Sequence, residues 1–239
     1  SASGAGDTFT REWANDLLNS VEPYGILITS GDNDTFPLWY AQEVEGVRRD
    51  VTVAVSELLG TDWYVRQIIR RPVHEYDAAR GPVIYRDRVW PKPAFPPLRM
   101  SVEEADSIQQ IYLLAGPQQF VKDSMVATIV GDTNPIFPQR FLGRDQVVVL
   151  RFIRDSFPDR PIYFSGPFYP QRLGFGRYLV RQGLLERLVP GPAERLPGVV
   201  AVEGGGWVDP ERTLALWRDV YTAHDSLVNH GKWVDAASD

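Results

Sequence analysis

Phe9, Trp13, Leu17 and Val21 recur every four residues, with Ala14 and Leu18 beside them. This single apolar stripe predicts a helix over 8–21, ended by Glu22-Pro23-Tyr24-Gly25. The run 25–30 is too uniformly apolar for a half-exposed strand and reads as a buried parallel strand. A polar turn over 31–35 follows. Pro37 is then expected in the first turn of a helix reaching residue 45, where it forfeits no internal hydrogen bond. A second buried strand covers 51–56. Thr61 or Asp62 caps a third helix through residue 69, broken by Pro72. Strand and helix alternating over short connections imply right-handed parallel pairing.

The middle of the chain breaks this rhythm. Residues 72–100 carry Pro91, Pro93, Pro96 and Pro97 and read as an irregular insertion. Ser101 and Glu104 form a capping-box pattern ahead of Ile108 and Ile111. Further strands are expected at 125–130 and 162–165, with a helix between them capped by Asp145. Residues 176–188 read as helical through Tyr178, Leu184, Leu185 and Leu188, and 199–202 as a short edge strand. Asp209-Pro210 opens a last helix with Leu214, Trp217 and Tyr221 on one face. The expected fold is therefore an α/β, three-layer Rossmann-like domain with a mostly parallel sheet. Its parts are a linker or expression scar at 1–7, an α/β domain at 8–203 and a helical C-terminal tail at 204–239. An internal echo, Ile28-Thr29-Ser30-Gly31-Asp32 with Phe36-Pro37 against Ile129-Val130-Gly131-Asp132 with Phe137-Pro138, raises a duplication against chance turn chemistry.

Composition narrows the function classes. Hydrophobic residues at 44% and charged residues at 23% describe an ordinary globular protein. Lys+Arg total 25 against 31 for Asp+Glu, a net charge of −6, which argues against nucleic acid as a partner. Only Lys92, Lys122 and Lys232 are lysines, so the positive charge is almost all forked guanidinium. Without cysteine, disulfides and thiolate chemistry are excluded. No apolar run approaches the ~18 residues of a membrane span.

Three polar clusters follow the predicted strands, at the carboxyl edge where open α/β sheets bind ligands. The first is Asp32, Asn33, Asp34 and Thr35. Asp32 and Asp34 offer two carboxylates for a divalent metal or for base and nucleophile roles. Helix capping by Asp34 or Thr35 and an Asx-turn at Asp32 explain the same residues. The second is Thr61, Asp62, Trp63 and Tyr64, where capping competes with a stacking platform for a sugar ring. The third runs from Ser165 to Arg172, with Arg172 and Arg177 as anion-binding candidates. His74, His224 and His230 show no metal spacing, and neither a nucleophile elbow nor a phosphate loop occurs.

The stretch 25–51, from Gly25-Ile26-Leu27-Ile28 through Gly31-Asp32-Asn33-Asp34-Thr35-Phe36-Pro37 to Arg48-Arg49-Asp50-Val51, resembles a bacterial family of large polytopic membrane proteins of unknown function. That family is related to the transmembrane protein O-mannosyltransferases and is type-C glycosyltransferase-like. Leu58-Leu59-Gly60-Thr61-Asp62-Trp63-Tyr64 and Arg160-Pro161-Ile162-Tyr163-Phe164 look like the soluble region that follows its membrane spans, and the resemblance covers 8–190. It implies an extracytoplasmic domain, periplasmic or at the cell surface, tethered to its own N-terminal membrane domain. The implied role is accessory: recognition of a glycan or peptide acceptor, or assembly. The family's catalytic acid sits on a loop between membrane helices, so no catalytic residue carries over. Two alternatives stand beside it: a metal-dependent enzyme acting on a phosphate or sugar substrate through Asp32 and Asp34, and a self-associating cell-surface module.

Overall fold

The structure, a computed structural model, describes residues 5–114, 116–133 and 139–222, with the side chains of residues 5–8, Asp32 and Asn33 left aside. Helix α1 (Ala5–Ser20) leads into strand β1 (Ile26–Thr29), helix α2 (Asp32–Glu43) and strand β2 (Thr52–Val55). A 3-10 turn (Glu57–Gly60) and helix α3 (Asp62–Arg70) follow. Residues 72–100 hold one 3-10 turn, Val83–Tyr85. Helix α4 (Val102–Ser107) starts at the capping box that Ser101 and Glu104 predict. Strands β3 (Ile111–Tyr112), β4 (Gln118–Lys122), β5 (Met125–Ile129), β6 (Asp132–Thr133) and β7 (Arg140–Leu142) build two small antiparallel sheets. Helix α5 (Arg144–Ser156), strand β8 (Ile162–Phe164) and helix α6 (Phe168–Arg172) return to the main sheet. It is completed by β9 (Leu179–Gln182), β10 (Leu185–Leu188), β11 (Val200–Val202) and β12 (Gly206–Val208), and helix α7 (Pro210–Asp219) closes the described chain.

The main sheet has seven strands in the order β11-β12-β9-β10-β8-β1-β2. β1 pairs parallel with β2 on one side and with β8 on the other. Every residue of these three strands is buried because both faces are covered. On one face α1 and α2 set Ala14, Leu17, Leu18, Leu38 and Ala41 against Leu27, Val53 and Tyr163. On the other, α3 and α5 set Val65, Ile68, Val149, Phe152 and Ile153 against Ile26, Ile28, Ala54 and Phe164.

The mostly parallel, Rossmann-like sheet expected from the sequence is not what forms. Six of the nine strand pairings among the described residues are antiparallel, and one of the three parallel ones, β12 with β9, is a single residue pair. In the main sheet the difference traces largely to 176–188, which enters two of its three antiparallel pairings. Instead of a helix, this stretch makes a 3-10 turn (Gly176–Tyr178) and the β9–β10 hairpin, paired Gln182 to Leu185. Its turn is two residues, Gly183-Leu184, with Gly183 at φ 63, the left-handed start that tight hairpins favour. Leucines at 184, 185 and 188 fit a helical stripe by spacing alone, yet Leu185 and Leu188 are strand residues buried where both faces are covered.

Three smaller expectations also fail. Gly143, not Asp145, stands at the N-cap of α5. Of the face expected for the last helix, Leu214 and Trp217 are exposed and Tyr221, just past the end of α7, is buried; within α7 the buried residue is Leu216. The second half of the internal echo begins in β5, a strand of an antiparallel hairpin, rather than in a parallel strand followed by a helix. Its Phe137-Pro138, like His224, His230 and the rest of the tail beyond Thr222, lies outside the described residues.

Candidate functional site

β2, β1 and β8 run the same way and end within one residue of each other, so the residues after them share one rim. Each strand is followed by a serine: Ser30, Ser56 and Ser165. The ladder is still regular there, with Ser56 N–H donating to Thr29 O at 2.9 Å and Ser165 N–H to Ile28 O at 3.0 Å. The hydroxyls meet across it. Ser30 and Ser56 Oγ are 3.1 Å apart, and Ser165 Oγ accepts from Ser30 N–H at 3.3 Å. Glu57 Oε2 accepts from Gly31 N–H at 3.2 Å and from Ser56 Oγ at 3.0 Å.

The 31–35 segment is not the separate turn expected. α2 begins at Asp32, so Pro37 lies inside the helix rather than in its first turn. The N-cap is Gly31, at φ 88 and without a side-chain cap bond; the space around it is open, so its conformation and not crowding calls for glycine. Asp34 therefore sits in the first turn of α2, where the helix dipole favours a carboxylate. It is half-buried and lies within hydrogen-bonding reach of Ser165. Burial raises its carboxyl above the usual range; the Ser165 bond pulls the other way, and the Glu57 charge adds to the rise. Thr35 is buried and structural: its hydroxyl donates to Gly31 O at 2.7 Å and lies 3.2 Å from Thr29 Oγ1. Asp32 and Asn33 occupy the first two positions of α2, and their side chains lie outside the described set.

The second cluster divides. Thr61 is the N-cap of α3, but its hydroxyl donates back to Leu58 O at 2.7 Å. Asp62 pairs with Arg144 at 2.7 Å. The Tyr64 hydroxyl accepts from Val55 N–H at 3.0 Å, which ties α3 to β2, and burial pushes it up to about 12. Trp63 is 54% exposed with its ring 5.5 Å from that of Tyr64, the one residue of the four that presents itself to solvent as a platform.

Of the third cluster, Ser165 joins the rim, and Arg172 does not. Arg172 forms an ion pair with Asp132 of β6, which also accepts from Gln146 Nε2 at 3.2 Å. Tyr169 donates to Asp145 Oδ2 at 2.8 Å, and burial holds its hydroxyl far above the ordinary tyrosine range. Arg177 is paired with Glu194. Among the described residues no three His, Cys, Asp or Glu side chains gather as a metal site.

The structure thus brings Asp34 and Ser165 together and adds Ser30, Ser56 and Glu57, which the sequence reading missed. A signal was present: a serine directly follows each of the three apolar strands. What the set can do is exchange hydrogen bonds with a polyhydroxylated or amide-bearing ligand, since hydroxyls donate and accept while the carboxylates accept.

The family model described as TMEM260-associated domain 2 matches residues 10–89, about a third of the chain. The matched stretch runs from α1 past α3 and contains Ser30, Asp34, Ser56 and Glu57. The match fits a TMEM260-like family, a family of membrane proteins. No curated protein and no solved structure matches the chain. No helix among the described residues is long and apolar enough to cross a membrane.

Proposed function

We propose that this chain is an extracytoplasmic, tethered domain of a membrane glycosyltransferase-like protein and that its serine rim holds the hydroxyl-bearing acceptor, a glycan or a Ser/Thr peptide. The observation that carries the reading is the rim itself, three hydroxyls and two carboxyls lined up at the ends of three parallel strands. A sugar or serine hydroxyl both donates and accepts, so it can replace any member of such a chain without stranding a partner. Trp63, one 3-10 turn beyond Glu57, supplies an apolar face for a sugar ring. The match at 10–89 supports attachment to a membrane protein. The link to O-mannosyl transfer rests on the resemblance of 25–51.

The test is an array of oligosaccharides and Ser/Thr-rich peptides probed with the chain and with Ser165→Ala and Asp34→Asn. Binding that weakens in both variants supports the reading; no binding to either ligand class, or binding indifferent to both variants, refutes it. A second reading draws on the repulsion between Asp34 and Glu57, which a divalent cation would relieve. Calorimetry with magnesium, manganese and calcium decides it: heat lost in Asp34→Asn would favour a metal-dependent enzyme over an acceptor rim.

A further inference from the structure

Beside α2 and α3 lies an open groove of about 730 Å³ whose lining includes Trp39, Trp63, Arg49, Arg66, Arg70 and Arg71. Four guanidinium groups there face one lining carboxylate, Glu43. Arg71 is paired with Glu43, and Arg66 reaches out to Asp106. Arg49 and Arg70 are exposed and have no ion-pair partner among the described residues. The groove thus offers two guanidinium groups without an ion pair on a chain of net charge −6, with Glu103 and Asp106 acting on Arg70 from farther off. His74, at its margin, reports the same field. Burial lowers its pKa most, and Arg49 and Arg71 lower it further, against a smaller opposing pull from Glu43 and with Lys92 adding to the fall.

Aromatic residues continue the groove. Phe36, Trp39, Tyr64 and Trp63 form an unbroken chain of rings, with centroids 6.0, 6.0 and 5.5 Å apart. Its two ends, Phe36 and Trp63, are exposed. Tyr40 and Val44 extend the Phe36 row along α2 at four-residue spacing, and both are more than half exposed. An apolar row on the outer face of an ordinary surface helix is unfavourable in water and normally points inward. Aromatic rings flanked by arginines suit one environment in particular, the boundary where lipid phosphates meet acyl chains.

We propose that this face of α2 and α3 docks on an anionic lipid bilayer, with Phe36, Tyr40 and Trp63 entering the headgroup layer and Arg49 and Arg70 engaging lipid phosphates. Charge and the apolar row together select the occupant: an apolar protein partner would leave the unpaired guanidiniums buried and an acidic soluble one would leave Phe36, Tyr40 and Val44 uncovered, whereas a bilayer sets phosphates, which pair bidentately, beside an apolar layer. This surface adjoins the serine rim and shares Trp63 with it, but Arg49, Arg70, Phe36 and Tyr40 take no part in the acceptor reading, on which the proposal does not depend.

Vesicle flotation tests it, using the chain with phosphatidylcholine vesicles carrying phosphatidylglycerol and with pure phosphatidylcholine vesicles. Binding is expected to the anionic vesicles and to fall steeply with salt. Arg49→Glu with Arg70→Glu should weaken it by at least about twenty-five-fold, taking roughly fivefold for each lost cation. Phe36→Ser with Trp63→Ser should leave residual, fully salt-labile binding. All four positions are exposed, so circular dichroism should show unchanged folding. No preference for anionic vesicles, or equal binding by the arginine variant, overturns the proposal. So does displacement by inorganic phosphate beyond that by sodium chloride of equal ionic strength, which would mark a site for a soluble anion.

Discussion

Replacing Arg48 with methionine should cost the fold about 3–5 kcal/mol. Arg48 is buried in the connection between α2 and β2 and grips Asp50 bidentately, Nε to Oδ1 at 3.0 Å and Nη2 to Oδ2 at 2.9 Å. Its Nη1 donates to Leu18 O at 3.1 Å, at the end of α1, and its guanidinium lies over the rings of Tyr76 and Tyr85, 5.1 and 5.7 Å from their centres. The two side chains are only 4% and 3% exposed. Methionine fills most of the volume but leaves the Asp50 carboxylate with Tyr24 N–H, at 3.1 Å, as its remaining donor. An orphaned buried charge, not lost packing, sets the size of the effect. For a chain of this length each kcal/mol moves Tm by about 2–4 °C, so a fall of about 6–20 °C is expected by calorimetry. Adding Asp50→Leu removes the stranded charge and should recover part of the loss. A single variant costing under about 1 kcal/mol, or a double variant no more stable than the sum of the two singles, would refute the argument that ionic pairing holds α1, α2 and the 72–100 insertion together.

Two further outcomes follow from the same geometry. Asp34→Asn should stabilise the chain at pH 7 in urea titrations, because a carboxyl whose folded pKa is raised contributes stability below its unfolded pKa and loses it as pH rises through the folded one; the gain should close as pH falls into the carboxylate range, and a gain independent of pH would contradict it. Gly183→Ala should cost at least about 1–2 kcal/mol for the left-handed residue alone, and more because the new Cβ would stand 1.9 Å from the Tyr221 hydroxyl; a neutral urea midpoint would show that the hairpin turn relaxes freely.

How far the sequence was legible depended on the range of the information. β1, β2 and β8 are continuous apolar runs bounded by turn residues, and their burial on both faces is written in the runs themselves. Capping at Ser101 and at Asp209, with Pro210 behind it, is equally local. The hairpin at 179–188 was hidden because Leu184, Leu185 and Leu188 satisfy a helical period, and what decides against it is the pairing of Glu186 and Arg187 with β8, a contact distant in sequence. At the rim, the paired aspartates drew the eye to chemistry, whereas the serines that join three strands look like ordinary turn residues until the strands stand side by side. Arg172 looked free for the same reason: its partner Asp132 lies on another sheet.

The last described residues come back to the first helix. Both carboxylate oxygens of Asp16 on α1 accept from Thr222 N–H at 3.0 Å, and Ser20 Oγ donates to the Tyr221 hydroxyl at 3.2 Å. A pull on residue 222 would therefore be borne first by this clasp to α1. The same load would reach the main sheet through Tyr221, whose hydroxyl also accepts from Leu184 N–H at 2.9 Å in the β9–β10 turn, so the clasp couples α1 to that hairpin.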